Sequence, residues 1–427
     1  DMIGRLVENQ EPGAQEHQRS KGNQALLPFR ERPDLRFHHV GREQEAGGDG
    51  ATHWFEHVPF QGTVGYPNGD NQIRGPIIRQ AGNINASTNH SRTVYHAVVP
   101  KQIWKQTLDI VTDLGGRPLL NDNGIEVERK VIYNEIAEAQ ANIGKRLWQD
   151  VLPKLWSNHP LGHAVLGTTK TLGLMNTETI RTAHQRLYDR SRAVLVISGD
   201  LDSNLVWTEA NQQLEKIPSH GLSERHGRIA YGELPLWRPR EEEWITKFEP
   251  SLVAMAWPID KASELTAYKR HWLQHWLGAI FVVGSLCSPL LRILRGERQL
   301  TYGAGTSNFS PSLDGGIFFI STLTKSKENI PAVIQSFRDV IISEQIRSKD
   351  WYDYVVDNIK GSRDMEVSNA HEHTSTLLSR LLANGIEPLN DDEWHEGLLD
   401  VTHQEVLDAL DELIPEKACT LILRGTK

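Results

Sequence analysis

The sequence predicts an α+β protein made of two structurally related units, each mixing strands with long helices. Three observations lead there. At 427 residues the chain is longer than one hydrophobic core usually serves, so two domains of roughly 200 residues are expected. Between Pro218 and Glu243 the sequence is dense in Pro, Gly, His, Arg and Glu without a lasting period, as suits a surface linker. Each half also closes on a similar apolar, β-branched run, Ala193 to Ile197 and Cys419 to Leu423, which hints at a structural duplication. The expected division is 1–225, a linker at 226–243, and 244–427.

Taken in order, residues 1–34 are polar and weakly patterned and read as an extended arm before a first strand near Leu35 to Val40. A helix is expected over Ala51 to Val58, with Asp49 near its start and Pro59 closing it, because proline drives the residue before it out of the helical region. Ile84 to Val99 alternates like a hairpin turning at Asn89, His90 and Ser91, with Val94, His96 and Val98 on one face. After Pro100 the pattern turns helical through Ile110 and Val111. A long helix follows, opened by Asp122 or Asn123 and carrying Ile125, Val131, Ile132 and Ile136. Asn204 to Ile217 again reads as helix.

The second unit is expected to begin with a strand at Leu252 to Trp257. Helices follow around Trp272 to Phe281 and Pro289 to Leu294, then strands at Leu300 to Thr306 and Ile317 to Thr324. Helices near Pro331 to Ile346 and Tyr352 to Arg363 precede a terminal strand at Ala418 to Leu423.

Composition excludes several classes of function. Lys+Arg 46 against Asp+Glu 55 gives a net charge of -9, which argues against a nucleic acid partner. Two distant cysteines in apolar surroundings, Cys287 and Cys419, build neither a disulfide framework nor a Cys-based metal site, so any metal must be held by His and carboxylates. The longest apolar run, Trp276 to Leu286, is about half the ~20 residues of a membrane helix and is closed by Pro289. The chain opens at Asp1 without Met, and no apolar targeting core is visible.

The residues richest in chemistry are His53, Glu56 and His57. Positions i and i+4 of a helix lie one above the other, so both imidazoles can reach one metal ion, and Glu56 at i+3 from His53 sits on the same side. A catalytic zinc needs three protein ligands, an open position for water and a nearby carboxylate to take a proton. Alone, the pattern is equally compatible with a solvated helix. Glu128 and Glu135, seven apart on the long helix, share a face with Val131 and Ile132, expected to be the buried one. Buried carboxylates need a partner. A metal ion would serve, and so would pairing with Arg or Lys.

Here the sequence resembles a family. His-x-x-Glu-His is the inverted zinc motif, and with Glu135 downstream it resembles the pitrilysin or insulinase family, which includes the mitochondrial processing peptidases. The segments from His57 to Thr63, Ala81 to Thr88 and Glu128 to Glu135 are similar to that family's motif continuation, its strand ending in Asn-Ala-x-Thr, and its Glu-Arg stretch. His159 to Gly162, Leu166-Gly167 and Ser198 to Asp200 extend the likeness. In the second half, Ser288 to Arg295 followed by Gln299 to Tyr302 resembles the family's substrate-binding Arg and Tyr. Departures stand at Asn89 to Arg92, where the family commonly has an acidic residue, and at Pro59.

The resemblance implies that His53, His57 and Glu135 bind Zn2+, that Glu56 is the general base, and that Glu128 supports the site. It places Asn85 and Ala86 on an edge strand that an extended peptide could join, with Arg295 and Tyr302 holding substrate carbonyls and Tyr302 steadying the oxyanion. The alternative for that pair is a salt bridge and a core tyrosine. The implied fold is half of a metallopeptidase clamshell with mostly antiparallel sheets. Peptides are the expected substrates, a homodimer the expected assembly and a heterodimer the alternative, in a bacterial cytoplasm or periplasm or in a mitochondrial matrix.

Weaker candidates read as structural. His371 and His373 flank Glu372 at i, i+2 spacing, wrong for one helix face. His159 and His163 are separated by Pro160 and Gly162, which oppose a regular helix. The tryptophans between Trp257 and Trp276 could line a chamber, but helix packing explains them more simply. Two rivals to a peptidase remain: a non-catalytic structural subunit, separable by bound zinc, and a slow peptide-binding clamp, separable by turnover.

Overall fold

A computed structural model describes residues 34–40, 50–90, 92–156, 159–220, 237–247, 249–259, 267–284, 287–312, 315–367 and 391–426. The N-terminal arm, Asp49, Ser91 and the His371 to His373 segment lie outside the described residues. Two units separate among the described residues: 34–136 with 163–220 and 365–367, and 137–162 with 237–364 and 391–426.

In the first unit, β1 (Asp34–Val40) pairs antiparallel with both β3 (Arg92–Val98) and β4 (Ala193–Ser198), and β2 (Asn83–Thr88) forms a hairpin with β3. The order is β2-β3-β1-β4, so β2 is an edge. Alternation sets which residues enter the core. Ile84 and Ala86 of β2 are buried while Asn83, Asn85 and Ser87 are exposed. On β3 the core face is Thr93, Tyr95 and Ala97, and His96 and Val98 on the other face are only half-buried.

Helix α1 (Ala51–His57) is seven residues long and buries its first five. Its start differs from the expected polar cap: Gly50 caps it at φ 91 with no side-chain hydrogen bond. A Cβ there would meet Leu172 Cδ2 at 2.9 Å and the Gly167 backbone at 3.0 Å, so both conformation and space require glycine. Trp54 and Phe55 are fully buried. Burying a residue such as Phe55 contributes roughly 1.5–3 kcal/mol, which anchors a helix too short to persist alone.

After α2 (Asp70–Arg79) and α3 (Trp104–Gly116) comes α4 (Asp122–Ala141). Ile125, Glu128, Ile132, Ile136 and Ala139 are its buried stripe. Val131 corrects the expected face, being 39% exposed. It stands at the edge of the stripe, whose centre runs through Ile132.

The second unit is a five-stranded sheet ordered β5-β9-β6-β8-β7, from β5 (Arg240–Thr246), β6 (Ser251–Ile259), β7 (Ala304–Ser312), β8 (Gly315–Thr324) and β9 (Cys419–Gly425). Only β5 on β9 is parallel. Strand β5 corrects the linker reading, which had taken in Arg240 to Glu243. Its four leading charged residues carry no apolar signal, and it is ordered by the ladder to β9 and by Arg424 Nη2 donating to Glu243 at 2.8 Å. Strand β7 starts at Ala304, so Leu300 to Tyr302 are not strand as expected. There Leu300 N–H donates to Leu294 C=O at 2.8 Å and the Thr301 hydroxyl to Leu323 C=O at 2.6 Å. The expected Pro331 to Ile346 helix is broken into Ile330–Ile341 and Glu344–Arg347.

Trp257 and Trp276 are fully buried. Their Nε1 groups donate to Ile414 C=O at 2.9 Å and Leu398 C=O at 2.8 Å, so these indoles are core. The closing strands of the two units differ in place: β4 is an edge, whereas β9 lies between β5 and β6. Among the described residues no helix is long and apolar enough to cross a membrane.

Candidate metal centre

The helical spacing of α1 brings the His53 and His57 rings together, centroids 4.7 Å apart. Glu135 reaches them from α4. Its Oε2 is 3.5 Å from His53 Nε2 and 3.5 Å from His57 Nε2. These separations are too long for hydrogen bonds. They match the edge of a tetrahedron, since ligands about 2.05 Å from a central ion stand roughly 3.3 Å apart. Glu56 offers a further oxygen, 3.7 Å from His53 Nε2, and His53, Glu56 and His57 present ligand atoms within 4.8 Å of one another. Two carboxylates therefore compete for the third ligand position. Glu135 is equally spaced from both imidazoles, whereas Glu56 belongs to the cluster with His53 and His57.

A further layer of contacts fixes the His57 imidazole. His57 Nδ1 is 3.0 Å from Glu128 Oε2, which assigns its proton to Nδ1 and turns the Nε2 lone pair toward Glu135. The other Glu128 oxygen accepts from Gln61 Nε2 at 2.5 Å. Gln61 ends the 3-10 turn Val58–Gln61 that follows α1 directly. His53 is 5% exposed, and its Nδ1 is buried without a hydrogen-bond partner.

Burial and charge divide the titrations. Burial, then the neighbouring His57, holds His53 down at about 3. Burial also works against a charged His57, but the Glu128 hydrogen bond and the Glu135 and Glu56 charges outweigh it, and the net shift is upward. Glu56 is raised, mainly by burial, against the opposing pull of His57 and of hydrogen bonds from Thr88. Burial pushes Glu128 up, and its bonds from His57 and Gln61 bring it below the ordinary carboxylate value. The donor set thus fits a divalent cation with nitrogen and oxygen ligands.

Strand β2 runs beside this centre. Asn89 N–H donates to Arg92 C=O at 2.9 Å, so alternate pairs up the hairpin carry the ladder bonds. The main-chain groups of Ile84, Ala86 and Thr88 therefore face the free edge. One of these is used: Arg74 Nη1 reaches Ile84 C=O at 3.4 Å. Ala86 presents both its N–H and its C=O at this edge. Asn85 pairs with His96 across the ladder and shows its side chain to solvent.

Behind α1, His184 stacks on Tyr188 with centroids 4.6 Å apart and meets Phe55 edge-on at 5.4 Å. Complete burial, with His220 next, holds His184 neutral at about 3, against a Gly115 backbone bond. A base with a depressed folded value leaves stability intact above its unfolded value of 6.5 and costs about 1.4 kcal/mol for each pH unit below it, down to about 3. Denaturant unfolding at about pH 7 and pH 5.5 is expected to show a smaller loss for His184→Phe than for the wild type. Equal losses would remove His184 from the account.

In the second unit, Arg295 belongs to the turn Arg292–Glu297 and its guanidinium lies 4.3 Å over the Tyr302 ring. Tyr302 is 82% exposed, which overturns the alternative of a core tyrosine. Sequence reasoning gave no role to Gln61, Thr88 or Tyr95. The first two stand inside the quoted segments, directly after the motif and at the end of Asn-Ala-x-Thr, which is the signal that marks them.

Comparison with known proteins bears on the family and the fold of the chain. The family described as Insulinase (Peptidase family M16) matches residues 39–169, and the one described as Peptidase M16 inactive domain matches residues 175–350. A relative named as an uncharacterized zinc protease from Rickettsia bellii is 25% identical over 316 residues, 72% of this chain and 72% of that protein. Among solved structures, a protease from Helicobacter pylori superposes with TM-score 0.78 at 15% identity, covering 92% of this chain and 95% of that one. Pitrilysin gives TM-score 0.66 at 15% identity, with 93% of this chain lying on 43% of the other.

Proposed function

We propose that this chain, which belongs to the insulinase family of peptidases (peptidase family M16), is a zinc-dependent endopeptidase for short or unfolded peptides with Glu56 as general base. The observation that carries the reading is the equal 3.5 Å spacing of Glu135 Oε2 from the Nε2 atoms of His53 and His57. The relative's name as a zinc protease supports zinc as the ion. His53, His57 and Glu135 would hold it, and zinc there supplies Lewis acidity toward the scissile carbonyl and toward water.

The chain's own groups do the rest. Glu56 takes the proton of the attacking water and returns it to the leaving amine, a task suited by a carboxylate whose affinity for protons burial has raised. Glu128, clamped by Gln61, holds the His57 ring and its tautomer. An extended peptide adds to β2 through the free main-chain groups of Ala86, with Asn85 beside it, so backbone rather than side chains is recognised. The exposed Arg295 and Tyr302 hold substrate carbonyls, and Tyr302 steadies the oxyanion.

The unit of residues 34–136 with 163–220 and 365–367 carries the catalytic residues, and the unit whose sheet begins with β5 at Arg240 carries the substrate-binding ones. The match to a domain described as inactive runs over 175–350, and its portion from Arg240 onward supports a binding role for the second unit. Because one chain carries both sets of residues, a homodimer closing two chambers is the natural assembly, with a heterodimer as its alternative.

The test is zinc content and cleavage of a quenched, unstructured peptide by the purified chain. About one zinc per chain, with cleavage stopped by a chelator and restored by zinc, is expected. A chain that holds no zinc and cuts nothing is a structural or peptide-binding member of its fold.

A further inference from the structure

Helix α1 ends against a proline. In an α-helix the carbonyl of residue i accepts from the amide of residue i+4, so the Phe55 carbonyl looks to residue 59. That residue is Pro59, which has no N–H. The neighbouring Val58 amide is already committed to Trp54 C=O. Phe55 is fully buried, so its carbonyl sits where an unpaired acceptor is costly. The missing donor comes from another element: the hydroxyl of Tyr95, at the centre of β3 and itself fully buried, donates to Phe55 C=O.

The position of that carbonyl matters. Phe55 immediately precedes Glu56 and lies two residues from both His53 and His57. Tyr95 is held in turn by the sheet, opposite Ala86 of β2 and Phe37 of β1. We infer that Tyr95 is a positioning residue, whose hydroxyl supplies the hydrogen bond that Pro59 withholds from the Phe55 carbonyl and so fixes the turn of α1 that aims Glu56 and His57. Pro59 and Tyr95 then form one device: the proline stops the helix directly after His57, and the tyrosine ties the opened turn to the sheet.

For its catalytic readout the inference rests on the proposed function, whereas the hydrogen bond itself does not. Tyr95→Phe removes only the hydroxyl, and Pro59→Ala restores the missing amide. In the full chain, zinc affinity by chelator competition, kcat and KM on the quenched peptide, and the unfolding midpoint are measured for both variants and their combination. Tyr95→Phe is expected to weaken zinc about 3- to 10-fold and lower kcat about tenfold, with KM within about twofold. Pro59→Ala should stay near wild type, and the double variant should return to within about twofold of Pro59→Ala.

Losses of equal size in both backgrounds, or a Tyr95→Phe chain that matches wild type, overturn the inference. If Tyr95→Phe fails to fold, recovery of folding by Pro59→Ala supports it and failure to recover overturns it. Should the wild type neither bind zinc nor cut, the proposed function falls, and the coupling between the two substitutions in the unfolding midpoint still decides whether the bond exists.

Discussion

Replacing Glu56 by Gln is expected to leave about one zinc per chain and lower kcat by about 10²- to 10⁴-fold. The amide has the shape of the carboxylate, so the packing around α1 and the contacts with Thr88 survive, but it cannot take a proton from water. The substitution also decides between two carboxylates. Glu56 and Glu135 both lie near His53 Nε2, at 3.7 and 3.5 Å. If Glu135 is the third ligand, Glu135→Gln loses zinc and Glu56→Gln keeps it. Zinc lost from Glu56→Gln and kept by Glu135→Gln would reverse the two roles. Activity within tenfold of wild type in Glu56→Gln would move the base to another residue.

What the sequence disclosed depended on how local each relation is. His53, Glu56 and His57 were legible because a helix fixes i, i+3 and i+4 neighbours whatever surrounds it. Glu128 and Glu135 share a face by the same rule, but only Glu128 is buried in the stripe with Ile132 and Ile136, and Glu135 is half-exposed. Val131 misled because a stripe of spacing alone does not locate its edge. Gln61, Thr88 and Tyr95 took their roles from contacts across distant elements, which no spacing encodes. Tyr95 is the instructive case, since a buried tyrosine on a strand reads as core until the unpaired carbonyl above Pro59 is noticed.

The fold shows the same division. Apolar strands such as β6 and β9 were visible from composition, because both faces are covered. Strand β5 was not, since an edge strand of Arg and Glu gains its order from the neighbour it pairs with. The start of β7 was misplaced for a related reason: Leu300 and Thr301 have strand-like side chains, but their polar groups bond to Leu294 and Leu323 before the ladder begins.

Glu128 carries the second large expectation, a zinc dissociation constant raised about 10- to 100-fold in Glu128→Ala. The carboxylate is 6% exposed and both oxygens are engaged, Oε2 with His57 Nδ1 at 3.0 Å and Oε1 with Gln61 Nε2 at 2.5 Å. Without it, the His57 ring is free to turn and its proton free to move to Nε2, the atom that must offer a lone pair. Glu128→Gln separates two contributions, because an amide oxygen still accepts from Nδ1 but no longer polarises the ring with a full charge. Zinc affinity falling about tenfold in Gln and further in Ala would assign part of the effect to charge and part to orientation. Equal falls would assign it to charge alone, and wild-type affinity in both variants would leave Glu128 as a buried carboxylate with no bearing on the metal. Gln61→Ala completes the series: it leaves the charge in place and loosens only the clamp, so its effect is expected to be smaller than that of either Glu128 variant.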